Sequence, residues 1–299
     1  DNVRMTDFPP SIALYFSDII IGETTCDGKK KMYELMGDFK NVHVMQLPQN
    51  NNDELSLKLW TNEIYKLKRK LEEITEEKLW NTIKMGNQER RNLRKFFELG
   101  KLNPSPLSGV TMSGTQDAFG FNFNREEKNK SIVEKTKEVY EMWEKELKGK
   151  KSKRPRILIT GCPVGGIREK ILTKIEEAGA DIVVYENCSG VREKLELIDE
   201  TMDNPIDAIA KKYLNLSCSV MSPNEKRFRD LNMLMDEYQV DAVIEIVLQA
   251  CHTFAVESTK VKKFVTEKKG KPYMYIESDY SMTDVGQVST RIEAFLEMI

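Results

Sequence analysis

Short apolar runs alternate along the chain with longer stretches in which apolar residues recur every three or four positions. That is the rhythm of a parallel-sheet α/β protein. In the first part, Ser17–Gly22 (SDIIIG) and Asn41–Leu47 (NVHVMQL) read as buried strands, joined by a helix from about Lys29 to Met36. Such a βαβ unit is right-handed by default. From Asp53 to Leu99 the rhythm becomes helical, with Leu57, Trp60, Ile64, Leu67, Leu71 and Ile74 spaced along one face among Glu and Lys. A loop carrying Pro104, Pro106 and several glycines is expected over Asn103–Asn122, followed by a charged helix from about Glu126 to Leu147. The basic stretch Lys148–Arg156 (KGKKSKRPR) reads as a solvated linker between domains.

Beyond the linker the alternation is cleaner. Strands are predicted at Arg156–Thr160 (RILIT), Asp181–Tyr185 (DIVVY), Asp241–Leu248 (DAVIEIVL) and Pro272–Ile276 (PYMYI). Helices are predicted near Gly166–Ala178, Pro205–Tyr213, Pro223–Tyr238 and Ser258–Lys268, with a last one starting near Asp284–Gly286. Four strands with intervening helices fit an open doubly wound sheet. The expected fold is α/β: two doubly wound parallel-sheet (Rossmann/flavodoxin-like) domains, residues 1–150 and 151–299, with a helical segment between the sheets.

Charge narrows the function classes. Lys plus Arg number 46 against 48 Asp plus Glu, a net charge of −2 that gives no footing for a nucleic-acid binder or a polybasic membrane anchor. The basic linker has no aromatic residues interleaved with its charges, which a nucleic-acid groove would need. No apolar run approaches the roughly 18 residues of a membrane span, and no signal-peptide core is visible, so cytoplasmic residence is expected.

Five cysteines then change the picture. In the reducing cytoplasm structural disulfides are not expected, and the chain has no CxxC for a thioredoxin-like pair or a zinc ribbon. A single buried Cys is usually just a small hydrophobe. Position is what argues otherwise: Cys26, Cys162, Cys188 and Cys251 each follow a predicted strand by two to four residues. Loops at the carboxyl ends of parallel strands line the ligand crevice of an open sheet. Cys218 lies in a loop after a predicted helix, from which it can approach the same edge. Zinc sites usually draw their ligands as local pairs, whereas thiolates from separate loops suit a cluster clamped between domains. Turns follow three of these cysteines (Asp27–Gly28, Pro163 with Gly165–Gly166, Ser189–Gly190), where backbone N–H groups can face an anionic centre. Lys29, Lys30 and Lys31 either balance such charge or simply form an exposed helix start.

Other chemistry is weaker. Gly22–Lys30 (GETTCDGKK) has the wrong spacing for a phosphate-binding loop, and Gly161–Gly166 (GCPVGG) is not a dinucleotide fingerprint. His252 adjoins Cys251, but adjacent residues rarely face one reacting atom, and His43 sits within a predicted strand. Glu186 and Glu277, each just past a strand, read first as hydrogen-bond partners and only second as acids or bases.

Six segments carry a family resemblance: ETTCDGKKKMYE (Glu23–Glu34), ITGCPVGGIREKI (Ile159–Ile171), YENCSGVREK (Tyr185–Lys194), YLNLSCSVMSPNEKR (Tyr213–Arg227), VLQACHTFAVES (Val247–Ser258) and YIESDYSMTDVGQVSTRIEAF (Tyr275–Phe295). Together they resemble the superfamily of 2-hydroxyacyl-CoA dehydratase component D and benzoyl-CoA reductase, most of all its double-cubane cluster proteins. The likeness is specific over Ile157–Ile299 and around Ser17–Glu34 and weak in the helical middle. It implies an oxygen-sensitive homodimer with an iron–sulfur cluster between two α/β domains. It also implies a separate iron–sulfur ATPase of the actin/hexokinase-like superfamily as electron donor. By surrounding motif, Cys26 and Cys251 match two of three ligands to one 4Fe-4S cubane. The third ligand is expected in a segment upstream of this chain. Cys162, Cys188 and Cys218 match the ligands of a second, sulfide-linked cubane. Two activities follow as expectations: a low-potential reductase of small substrates, or an (R)-2-hydroxyacyl-CoA dehydratase subunit acting on an acyl-CoA.

Overall fold

The computed structural model describes residues 16–71, 74–120 and 122–299. It is an α/β structure with parallel sheets. Strand β1 (Ile20–Glu23) pairs in parallel with β2 (Val42–Met45) through helix α1 (Asp27–Met36). Helices α2 (Glu54–Leu71), α3 (Glu76–Glu98), α4 (Gly109–Gly120) and α5 (Arg125–Glu146) follow. Two of these start at side-chain caps that satisfy free N–H groups of the first turn. Thr75 accepts from Lys78 N–H before α3, and Asn124 accepts from Glu126 and Glu127 before α5.

The larger sheet has the order β4-β3-β5-β6, all parallel, from β3 (Arg156–Gly161), β4 (Asp181–Glu186), β5 (Ala242–Leu248) and β6 (Tyr273–Ser278). Its central strands are largely apolar and buried, as expected where helices cover both faces, with Thr160 and Glu245 as polar exceptions. Helical turns over Gly165–Leu172 and α6 (Thr173–Glu177) connect β3 to β4; α7 (Pro205–Leu214) and α8 (Glu225–Glu237) connect β4 to β5. Helix α9 (His252–Lys263) leads on to β6, and α10 (Val285–Leu296) closes the chain. The chain runs outward from β3 to β4, then returns to the other side of β3 for β5. The topological switch point of the sheet therefore lies between β3 and β5, where open α/β sheets bind ligands.

The predicted strands of this sheet stand within one or two residues of the observed ones. Two expectations are corrected. The expected loop Asn103–Asn122 contains α4. Its glycines permit contact that a larger residue would forbid, since a Cβ on Gly109 would come within 2.4 Å of Ile182 Cβ. The Glu176 carboxylate then accepts from the N–H groups of Gly109 and Val110, capping α4 from another helix. The helix expected from Ser258 begins at His252, directly after Cys251.

Helix α3 and the short turn after it anchor on the large sheet through Arg156. Its guanidinium donates to the carbonyls of Gly100 (2.6 Å), Leu102 (3.2 Å) and Tyr238 (3.0 Å). The two-stranded unit docks elsewhere. Met45 and Trp60 bury against Ala210, Leu214, Val220 and Met221, beside Cys218. Among the described residues no helix is long and apolar enough to cross a membrane.

Candidate iron–sulfur site

The carboxyl ends of β3, β4 and β5 deliver three of the cysteines. Cys162 follows β3 directly and is buried; its own N–H donates to the Ile246 carbonyl (2.8 Å), so strand pairing continues to the cysteine itself. Gly161 makes this possible. It holds φ at +101°, and a Cβ there would stand 2.2 Å from the Ile246 oxygen. Cys251 precedes α9 at the end of the β5 loop. The two thiols meet across the switch point, and Cys162 donates toward the Cys251 sulfur. That donation, more than the opposing effect of burial, pulls Cys251 down to about 6; the Phe254 N–H and the nearby His252 act in the same direction. Cys162 is pushed far up by the same bond and by its burial.

Cys188 sits exposed in the turn after β4, and its charge is felt at Cys162 and at Cys218. Cys218 is half-buried in the loop after α7, where burial pushes its thiol up. Each of these four sulfurs faces an N–H donor. Leu248 N–H reaches Cys162 (3.4 Å), Arg192 Nη1 reaches Cys188 (3.7 Å), Val220 N–H serves Cys218 and Phe254 N–H serves Cys251. The structure thus brings Cys162, Cys188, Cys218 and Cys251 to one edge. The interacting thiols Cys162 and Cys251 join one member of each expected ligand group.

Cys26 is half-buried at the N-terminus of α1, at the carboxyl end of β1. No contact ties its thiol to the other four among the described residues. Its turn is linked to theirs through Gln49, whose amide donates to Thr25 O (3.3 Å) while its carbonyl accepts from Ser222 N–H (2.7 Å). The neighbouring lysines form exposed pairs, Lys30 with Asp27 and Lys31 with Glu34.

Beneath the cysteines lies a charged layer that sequence reasoning missed. Arg192 forks onto Glu186 (2.7 and 3.0 Å), which also accepts from Thr160 Oγ1 (2.5 Å). Arg227, fully buried in α8, donates to Thr160 (2.9 Å) and Glu245 (3.1 Å) and pairs with Glu257. The Phe254 ring packs against both guanidinium groups, at 5.4 Å from Arg192 and 4.9 Å from Arg227. Burial alone would raise the Glu186 pKa, but the two arginines outweigh it and hold that carboxyl below its usual range. Glu186 is a structural partner, as first read, and Glu277 accepts from the Tyr275 hydroxyl at the surface (3.1 Å). The legible signal was Glu245, a lone charge inside the apolar run DAVIEIVL, which demands a buried cation.

Among the described residues no three His, Cys, Asp or Glu side chains gather tightly enough to hold a single metal ion. A cubane is larger than an ion and takes its thiolates at separate corners. Four thiols from four loops, each with an N–H donor, fit that demand. The Cys162–Cys251 contact has to open for both to serve as ligands.

A family model described as 2-hydroxyglutaryl-CoA dehydratase, D-component, matches residues 4–299, including the helical middle where the motif resemblance was weak. The chain is 47% identical over 291 residues to the putative dehydratase subunit YjiM of Escherichia coli (strain K12), covering 95% of this chain and 75% of that protein. It is 24% identical over 227 residues to the (R)-phenyllactyl-CoA dehydratase beta subunit of Clostridium sporogenes, covering 76% of this chain and 58% of that one. With nearly its whole length matched, the chain belongs to the 2-hydroxyglutaryl-CoA dehydratase D-component family.

Proposed function

We propose that this chain is an iron–sulfur subunit of an enzyme that removes water from a 2-hydroxyacyl-CoA thioester. Its cluster thiolates are drawn from Cys162, Cys188, Cys218 and Cys251 at the edge of the large sheet and Cys26 at the first sheet. Support comes from the family and from the names of the two relatives. The observation that carries the chemistry is the N–H donor facing each of the four sulfurs. Such donors stabilise negative charge on sulfur and tune a cluster's potential.

Bound there, a cluster supplies single electrons at low potential. The chain's own residues hold the thiolates at one edge, neutralise charge through Arg192, and keep water from Cys162 with Val247, Leu248 and Phe254. The electron source this reading requires is a separate iron–sulfur ATPase of the actin/hexokinase-like kind. Homodimer formation and cytoplasmic residence belong to the same proposal.

A second reading is a low-potential reductase with two sulfide-linked cubanes, acting on small substrates that are hard to reduce. Cys162, Cys188 and Cys218 favour it, because a lone three-ligand cubane on the expected Cys26 and Cys251 set leaves this triad without a role. Iron and sulfide analysis with EPR of anaerobically purified protein separates the readings. Roughly four irons per chain support the dehydratase plan and roughly eight the double cubane. Absence of iron, with all five thiols freely titratable, overturns both.

A further inference from the structure

A second charged site lies on the helical side of the Cys188 turn. A cavity of about 230 Å³ opens there between α3, the start of α5 and the segment after β4. Arg90, Arg125, Lys128 and Lys194 line it, against only two carboxylates, Glu89 and Glu193. Both carboxylates are already engaged. Glu193 pairs with Arg90 (2.7 Å) and also with Lys212 (2.7 Å), while Glu89 pairs with Lys128 (2.7 Å). Among the described residues no carboxylate pairs with Arg125 or Lys194.

Lys194 is only 6% exposed, and among the described residues its ammonium makes one hydrogen bond, a long one to the Cys188 carbonyl (3.5 Å). A buried ammonium so poorly matched is costly unless an anion joins it. Arg90 is engaged by Glu193, Asn87 and the Tyr213 hydroxyl, whereas Arg125 beside it has no carboxylate among the described residues. A Cβ on Gly86 would lie 3.1 Å from Arg90 Nη1 and 3.4 Å from Arg125 Nη1, so two guanidinium ends converge over one glycine. The side-chain amide of Gln116 also faces this cavity, and its oxygen is buried without a partner. Turned about, that amide presents its NH₂ to an acceptor.

We propose that this cavity binds a dianionic phosphate group, held by Arg90, Arg125, Lys128 and Lys194, whose two surplus charges it neutralises. Guanidinium and ammonium donors converging on one point suit tetrahedral oxyanions, with the forked guanidinium supplying direction. The site needs no cluster, so its test stands apart from the proposed activity.

The test is isothermal titration of the full chain at fixed ionic strength in chloride buffer, with inorganic phosphate and, separately, with adenosine monophosphate. Saturable phosphate binding is expected, weakened by at least about tenfold in K194M and in R125Q. It should be unchanged in K135Q, which alters an outward lysine paired with Glu138. Arg125 is exposed, so R125Q decides the matter even if K194M fails to fold. Tighter binding of the nucleotide identifies the head group of a larger ligand; equal or weaker binding identifies the free ion. Absence of saturable binding to wild type, or undiminished phosphate binding by either folded variant, overturns the proposal.

Discussion

Cys162 and Cys251 lie together at the switch point between β3 and β5, and their interaction divides their chemistry. Cys251 is held down to about 6, so in the metal-free chain it is a thiolate at neutral pH, whereas Cys162 stays a thiol. Alkylation with iodoacetamide, read peptide by peptide by mass spectrometry, should therefore label Cys251 ahead of Cys162. The midpoint for Cys251 should lie near pH 6. In C162A the donor is gone, and that midpoint should rise toward the ordinary thiol range. An unmoved midpoint would show that Cys162 does not set the Cys251 titration.

Arg227 is the cation on which Glu245 and Glu257 depend, and it also faces Glu186 at 3.5 Å. In R227M these buried carboxylates keep their desolvation cost and lose their compensation. Removing one partner from a buried ionic network costs about 3–5 kcal/mol. E257Q keeps a hydrogen-bond acceptor for Arg227, so its loss should be clearly smaller. Urea denaturation of the two variants beside wild type checks the ranking, and equal losses would mean that Arg227 does not organise this layer.

Glu186 gives the same layer a pH dependence of definite sign. Burial works against its ionisation, yet Arg192 and Arg227 depress the pKa in the folded chain below its unfolded value. Such a group contributes stability above the unfolded pKa of about 4.3 and loses it as pH falls through the folded one. Neighbouring Glu245 runs the other way: burial raises its pKa, so acid relieves it. E186Q should lower stability at pH 7 and flatten the decline below about pH 4. Urea midpoints from pH 7 down to pH 3 test it, and a wild-type slope retained by E186Q would assign the acid limb elsewhere.

What the sequence made legible follows from which interactions are local. RILIT, DIVVY and DAVIEIVL are short runs rich in Ile and Val, so their strands, and with them the placing of Cys162, Cys188 and Cys251, could be read directly. Helix α4 could not. GVTMSGTQDAFG has three glycines and little helical preference, and its helix is secured by Glu176 and by close packing on Ile182, both remote in sequence. Arg192 and Arg227 were hidden for a related reason. Charged residues in helical and turn segments read as solvated unless buried carboxylates on other strands claim them. The Cys162–Cys251 pairing is likewise a product of sheet order, since nothing in the spacing of those residues says that β5 returns to the side of β3.

Gly161 is where backbone geometry and the site depend on each other most directly. It carries φ +101° at the last pair of the β3–β5 ladder, and a Cβ would collide with the Ile246 carbonyl that accepts from Cys162 N–H. Gly179 has nearly the same φ, +98°, but nothing stands within 4 Å of its missing Cβ. The pair separates two costs. G179A should lose only the left-handed strain, about 1–2 kcal/mol. G161A adds steric overlap with backbone, a further roughly 1–3 kcal/mol, because a strand carbonyl cannot move aside as a flexible side chain can. It should also displace Cys162, speeding its alkylation in the metal-free chain, while G179A leaves that rate unchanged. Chemical denaturation and the alkylation rate measured on the same preparations test both expectations. Equal losses of stability, with Cys162 still protected in G161A, would show that the strand end tolerates a side chain and that the glycine does not set the cysteine's position.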